Sequence, residues 1–280
     1  MFLRESCLPP GWYPRNKDEI EEFLAPYGNS SFGKNASAAI APHAGWYYSG
    51  STAAQALSTL NQKAETVVVI GGHLPKGTPV LMAAEDGVKT PFGTMVIDAE
   101  LRAEFEKQVS TEIKPTKPDR YNDNTVEVLL PMVHYYFPKA ALLWLRFPSE
   151  LSSFEAGKLL DKAAKALGRR IVVLASADLT HYGENYGFSP KGRGKPALEW
   201  VKNVNDAAFI NAVLERNPAL VLECAEKDFS SCSAGAVLGA LGFASTQSKK
   251  AKLLEYCTSA DALGDDAPAS FVGYAAISFL

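Results

Sequence analysis

Hydrophobic positions along the chain alternate between two spacings. Short runs rich in Val, Ile, Leu and Ala, several of them apolar on both faces, predict buried strands over residues 38–41, 66–70, 80–83, 140–146, 171–175, 252–256 and 272–279. Apolar residues at helical spacing predict helices over residues 17–24, 52–60, 99–108, 126–137, 153–167, 196–214 and 233–241. The alternation predicts an α/β fold with a central mixed, mostly parallel sheet flanked by helices.

Nothing in the pattern divides the chain. The 280 residues contain no internal repeat and no long Pro/Gly/Ser linker, so we expect a single domain over residues 1–280. The segment 184–195, ENYGFSPKGRGK, combines glycine with charge and predicts an exposed loop. Such a loop is either a lid over a site or a solvated connection.

Charge and cysteine usage narrow the class of partner. With 28 basic and 31 acidic residues the net charge is −3, which argues against nucleic acid or an anionic membrane as the partner. No apolar run reaches the length of a membrane span. The four cysteines lack CxxC spacing, so we expect reduced thiols and a cytoplasmic location. A small molecule or a peptide is the expected ligand.

Three of the four histidines follow strand ends. His43 comes after AAIA, His73 after TVVVIGG, and His181 shortly after IVVLA. Ligands of open α/β sheets bind beyond the carboxyl ends of the strands, so these imidazoles are expected at one edge. A structural, hydrogen-bonded histidine is the alternative at each position. His134 lies in a helical pattern and is expected to be structural.

A thiol and a carboxylate extend this candidate site. Cys232, in DFSSCSAGAV, is predicted at the first turn of a helix, where the thiolate is favoured. A small buried residue is the alternative interpretation. Asp178 and His181 form a D-x-x-H pair. Asp178 would orient an imidazole, act as a base or bind metal, or else cap the following turn.

Further side chains are candidates for contacting a ligand. Glu127, on the helical segment VEVLLP, would add a second carboxylate to the candidate site. The alternative, which is commoner for a glutamate on a helix, is that its side chain is exposed to solvent. The aromatic run Trp46, Tyr47 and Tyr48 would wall an aromatic or apolar substrate, or else pack in the core.

The motifs together resemble a known family. GWYP (11–14), PHAGWYYSG (42–50), GGH (71–73), TPFG (90–93), VEVLLP (126–131), SADLTHYG (176–183) and the C-terminal VGYAAISF follow the order found in Memo-like proteins. The fold of that family is similar to that of class III extradiol dioxygenases, which hold non-haem Fe(II) with two histidines and a glutamate. The resemblance implies His43, His73 and Cys232 as metal ligands, with Asp178 and His181 facing the same cleft.

Two departures from the family pattern concern the site. Many relatives have Glu-His-Ser where this chain has Asp123, Asn124 and Thr125; Asn124 donates a hydrogen bond to a ligand but does not titrate. The family usually has Cys-Gly where this chain has Cys232 and Ser233.

Several functions fit these residues. The first is a redox enzyme of the dioxygenase-like kind, dependent on non-haem iron, with copper or zinc as alternatives, and acting on an unknown small molecule. The second is a non-catalytic module that binds a peptide or protein in a vestigial metal cleft. The third is a cysteine hydrolase with Cys232 as nucleophile, His181 as base and Asp178 orienting it. A fourth is metal storage or sensing.

Overall fold

A computed structural model describes residues 1–28 and 32–280. The strands are β1 (Leu3–Arg4), β2 (Ala38–Ala41), β3 (Thr66–Leu74), β4 (Leu81–Met82), β5 (Gly87–Thr90), β6 (Gly93–Val96), β7 (Lys117–Pro118), β8 (Ala141–Pro148), β9 (Ile171–Ser176), β10 (His181–Gly183), β11 (Ala251–Thr258) and β12 (Ser270–Phe279). The helices are α1 (Lys17–Leu24), α2 (Trp46–Thr59), α3 (Ala99–Glu112), α4 (Asn124–Glu127), α5 (Leu130–Tyr136), α6 (Ser152–Ala166), α7 (Lys195–Trp200), α8 (Asp206–Leu214), α9 (Pro218–Asp228), α10 (Ala234–Ser245) and α11 (Ser259–Leu263).

One mixed sheet organises the molecule. Its strand order is β10-β12-β2-β9-β3-β8-β4-β7, and β11 pairs with β12. The central strands β2, β9, β3 and β8 are parallel, whereas β12 is antiparallel to β2 and β4 is antiparallel to β8. A smaller sheet contains β1, β5 and β6. The expectation of an α/β fold with a mixed sheet flanked by helices is confirmed.

Helices cover both faces of the sheet. On one face, α10 packs on β3, β8 and β9, and α6 packs on α10, around a core that includes Phe147, Leu160 and Phe243. On the other face, α2 and α5 enclose a core that includes Leu57, Trp46 and Met132. Strands covered on both sides bury nearly all of their residues, which explains their continuous apolar runs.

Three differences between the predicted and the observed helices have a local cause. Helix α2 begins at Trp46 rather than at residue 52, because Gly45 serves as its N-cap. The predicted helix 126–137 divides into α4 and α5 before Pro131, whose ring and missing N–H interrupt a continuous helix. The predicted helix 196–214 contains a π-helical turn, Val201–Asn205. Within the described residues, no helix is both long and apolar enough to span a membrane.

Candidate metal centre

Parallel strands bring distant residues to one edge of the sheet. Strand β9 lies between β2 and β3, and His43, His73 and Asp178 lie at or just beyond the carboxyl ends of these strands. Cys232 comes from the segment between α9 and α10, and its N–H donates to the Asp178 carbonyl at 3.3 Å. A nitrogen of His43, a nitrogen of His73 and Sγ of Cys232 all lie within 4.8 Å of one another.

His43 is fixed at three atoms. Its main-chain N–H donates to Oδ1 of Asp178 at 2.6 Å, and Nδ1 contacts Oγ of Ser176 at 2.9 Å. Nε2 therefore points inward, where it lies 3.3 Å from Sγ of Cys232. The ring is almost completely buried. These contacts fix both the position of the imidazole and the nitrogen that it presents.

His73 reaches the centre through an unusual backbone. Its φ is +58°, in the left-handed region that non-glycine residues seldom adopt. Nδ1 bonds Oδ2 of Asp123 at 3.1 Å. Because a carboxylate only accepts, Nδ1 carries a proton, and Nε2 is the nitrogen that presents a lone pair when the ring is neutral. The ring lies edge-on to that of His43, with centroids 5.0 Å apart.

Electrostatic coupling favours the thiolate. Burial raises the pKa of the Cys232 thiol, but the adjacent His43 and His73 outweigh burial and hold this pKa well below its usual range. Burial lowers the pKa of His73, yet hydrogen bonds to Asp123 and Cys232 raise it to about 10. Without a metal, the group is therefore a thiolate beside a protonated imidazole. The thiolate is the form of cysteine that binds metals.

The donor set fits a metal ion. Atoms that bind one ion at about 2.0–2.3 Å lie roughly 4 Å apart or less, so only small side-chain shifts are required. The outer nitrogen of each imidazole is bonded to a partner, Ser176 for His43 and Asp123 for His73. Such outer partners orient metal-binding histidines. The three residues thus form a possible metal-binding site.

The D-x-x-H pair lies beside these donors. Asp178 is buried, and its Oδ2 is 3.8 Å from Nε2 of His43. Burial raises the pKa of Asp178. His181 directs Nδ1 at the Leu179 carbonyl, 3.1 Å away, so the neutral ring keeps an acceptor at Nε2. The Tyr186 ring lies edge-on to His181 at 5.0 Å.

His73, His181 and Tyr186 together line two chambers at the centre. The larger has a volume of about 750 Å³, and among its walls are Trp12, Tyr48, Asn124, Asn185, Ser270 and Tyr274. The smaller, of about 390 Å³, is lined by Cys232 together with Phe188 and Phe229. No lysine or arginine is among the described residues that line either chamber.

The family assignment rests on the whole chain. The family model for the Memo-like protein matches residues 4–278. The chain belongs to the Memo-like family. A MEMO1 family protein of Pyrococcus abyssi is 30% identical over 291 residues, covering 99% of each chain. A MEMO1 family protein of Methanococcoides burtonii is 29% identical and covers 98% of this chain and 99% of the relative. The crystal structure of an uncharacterized protein from Escherichia coli K12 matches 86% of this chain and 99% of that one, with a TM-score of 0.49 and 13% identity.

The aromatic run of this Memo-like chain separates into three environments. Tyr48 lines the larger chamber, as the sequence suggested. The side chain of Trp46 is instead buried, donates Nε1–H to the Val128 carbonyl at 2.9 Å and packs on Phe23. Tyr47 is 69% exposed on a different part of the surface. The prediction that Trp46 and Tyr47 wall the site is wrong, because the helical turn points successive side chains in different directions.

Glu127 also lies outside the chambers. Its buried carboxylate accepts hydrogen bonds from the main-chain N–H groups of Cys7 and Leu8, at 2.9 and 3.0 Å, and from the side chains of Ser6 and Tyr13. The prediction that it contacts the ligand is wrong, since these donors occupy both carboxylate oxygens. Asn124, by contrast, lines the larger chamber and donates Nδ2–H to the His43 carbonyl at 3.1 Å.

Sequence reasoning did not identify the groups behind the Memo-like site. Asp123 was noted only as a departure from the family motif, yet it bonds His73. Asp206 is completely buried and accepts from the Thr180 N–H at 3.1 Å, from the Thr180 hydroxyl and from the Tyr256 hydroxyl at 2.7 Å. Thr180 lies between Asp178 and His181. Asp206 thereby holds the segment that carries both.

Asp206 predicts a pH dependence of stability. Burial raises the pKa of Asp206 to about 6 from its ordinary value of 3.8. The folded chain therefore binds an extra proton between these values, and this contribution to stability, about 3 kcal/mol, is present below pH 4 and lost as pH rises through 6. Asp206→Asn should remove that slope, as measured by urea unfolding at pH 4.5, 6 and 7.5. An unchanged slope in the variant would contradict the assignment.

Proposed function

We propose that this protein is a metal-dependent oxidoreductase acting on a small organic molecule. His43, His73 and Cys232 hold one metal ion, with iron(II) the first choice and copper or zinc the alternatives. The observation that carries the proposal is the convergence of three donor atoms within 4.8 Å from segments far apart in the chain. Stability alone does not require two imidazoles and a thiol to meet at the base of a cleft.

The donor chemistry favours redox use. One thiolate with two neutral imidazoles suits iron, copper and zinc, and it leaves coordination positions open. When bound, iron or copper supplies one-electron redox chemistry at the base of the cleft. A soft thiolate ligand favours redox chemistry over hydrolysis. Hydrolysis does not need a thiolate, because a metal held by harder oxygen and nitrogen ligands supports it equally well.

The chain's own residues manage protons and orientation. Nε2 of His181 accepts a proton from a hydroxyl or amine placed in the larger chamber, because Nδ1 is engaged by Leu179. Asp178, whose pKa burial raises, holds a proton more readily than an exposed carboxyl. Asn124 and Tyr48 line the same chamber and orient the ligand through hydrogen bonds.

The walls indicate an uncharged substrate. Amide, hydroxyl, aromatic and imidazole groups line the larger chamber together with the carboxyl group of Asp178, and its described lining includes no lysine or arginine to neutralise a phosphate. A neutral molecule with hydroxyl or amide groups matches this lining better than a phosphorylated one. We therefore propose a small, uncharged, hydrogen-bonding substrate.

Elemental analysis after anaerobic purification tests the metal site. We expect close to one iron or copper per chain, and less than about one tenth of that in His43→Ala and Cys232→Ser, since each removes a ligand. His134→Ala and Cys257→Ser are matched controls, because these side chains contact Thr90 and Thr52 instead. They should retain wild-type metal. A wild-type chain without metal, even after anaerobic reconstitution, overturns the proposal.

A cysteine nucleophile is the second candidate. The contact of 3.3 Å between Sγ of Cys232 and Nε2 of His43 favours it. His43, rather than the His181 expected from sequence, would then be the base. Alkylation of Cys232 that blocks turnover in the presence of a chelator would favour this candidate over the metalloenzyme.

A further inference from the structure

Arg146 is a charged residue in an otherwise apolar strand, and its side chain is only 4% exposed. It belongs to β8, whose register places it opposite Gly71 of β3. A Cβ on Gly71 would lie 3.1 Å from Cγ of Arg146, so glycine lets the arginine side chain cross the neighbouring strand. This route leads the guanidinium to the backbone just before His73.

The guanidinium is linked to His73 through two of its neighbours, Gly72 and Asp123. Nε–H donates to the carbonyl of Gly72 at 3.0 Å, which fixes the peptide that precedes His73. One terminal nitrogen donates to Oδ2 of Asp123 at 3.1 Å, and the same oxygen bonds Nδ1 of His73. The other terminal nitrogen lies 3.4 Å from Oδ1 of buried Asp119. One rigid group therefore holds both the main chain and the side-chain partner of His73.

We infer that Arg146 is the positioning residue for His73, holding its imidazole in the geometry that the metal centre requires. This inference rests on the proposed metal site. The left-handed backbone of His73 needs surrounding contacts to maintain it, and the bond from Arg146 to the Gly72 carbonyl is one of them. Lysine keeps the charge but lacks the planar fork, so it cannot replace all three contacts.

Anaerobic titration with cobalt(II) alone, followed by its thiolate absorption band, tests this role. Arg146→Lys should weaken cobalt(II) binding about 10- to 100-fold, the usual effect of losing an outer partner of a metal ligand. Arg169→Lys is the matched control, because Arg169 pairs at 3.2 Å with Asp98, a buried carboxylate near the start of β3. It should lower the melting temperature but change cobalt(II) affinity by less than about twofold.

The outcomes separate the inference from the proposed function. If the wild-type chain binds no cobalt(II), the proposed metal site is contradicted. If the wild-type chain and a folded Arg146→Lys variant bind cobalt(II) equally well, the positioning role of Arg146 is contradicted but the proposed metal site is not. Should Arg146→Lys not fold, Asp123→Asn decides, because it removes the link between Arg146 and the ring of His73. A loss of tenfold or more there supports the inference, and unchanged affinity overturns it.

Discussion

Replacing Gly72 with alanine should disrupt the candidate centre, although it adds only one methyl group. A Cβ at this position would lie 2.3 Å from both Cβ and Oγ of Ser233, and 2.8 Å from its Cα. The backbone of Ser233 must therefore move away from β3, and Cys232 moves with it. We expect a loss of about 1–3 kcal/mol in unfolding free energy, typical of overpacking, and at least about tenfold weaker metal binding.

Gly45→Ala is the control for this substitution. A Cβ there meets its nearest neighbours at 3.7 and 3.8 Å, which is ordinary contact, although Gly45 also lines the larger chamber. Urea unfolding and cobalt(II) titration of both variants check the expectation. Wild-type affinity in Gly72→Ala would mean that the loop carrying Cys232 adapts without disturbing the donors.

Glu127→Ala should release the N-terminal strap, defined as residues 6–15. The carboxylate binds the N–H groups of Cys7 and Leu8 and the hydroxyls of Ser6 and Tyr13, so alanine leaves several donors without their acceptor. We expect a loss of about 3 kcal/mol or more in unfolding free energy, because removing a buried charged acceptor leaves its hydrogen-bond donors without a partner.

Alkylation of the Cys7 thiol reports on the release of the strap. Cys7 Sγ donates to Glu127 at 2.7 Å, and burial together with this carboxylate raises the pKa of Cys7 to about 12. Without Glu127 the thiol returns toward its ordinary pKa, so its alkylation at pH 8 should accelerate by roughly 100-fold or more. Glu226→Ala, an exposed change on α9, is the control. Unaltered labelling of Cys7 in Glu127→Ala would show that the strap is held by other contacts.

The sequence predicts the main sheet well because its strands are covered on both faces. Runs such as VVVI and IVVLA admit few other interpretations, and every predicted strand corresponds to an observed one. The short strands β1, β5, β6, β7 and β10 were not predicted. They have two to four residues each; β1, β7 and β10 are defined by pairing with distant partners, whereas β5 and β6 form a short hairpin.

The candidate site is predictable to the extent that it follows strand ends. His43, His73 and Asp178 converge as expected from parallel strands, and Cys232 joins them through the helix that follows it. Trp46 and Glu127 could not be placed, since the rotation of a helix about its axis is decided by packing. Arg146 carried a usable signal, because a charge inside the apolar run LLWLRFP is rarely left without buried partners.

The strap has a consequence for the order of folding during synthesis. Cys7 binds a carboxylate that is synthesised 120 positions later, and His43 contacts Cys232, which follows it by 189 positions. Strand β12, near the end of the chain, lies inside the sheet between β10 and β2. The nascent chain therefore cannot complete this cleft progressively. Its histidines emerge long before the thiolate, and the three-donor centre assembles only after Cys232 has been synthesised.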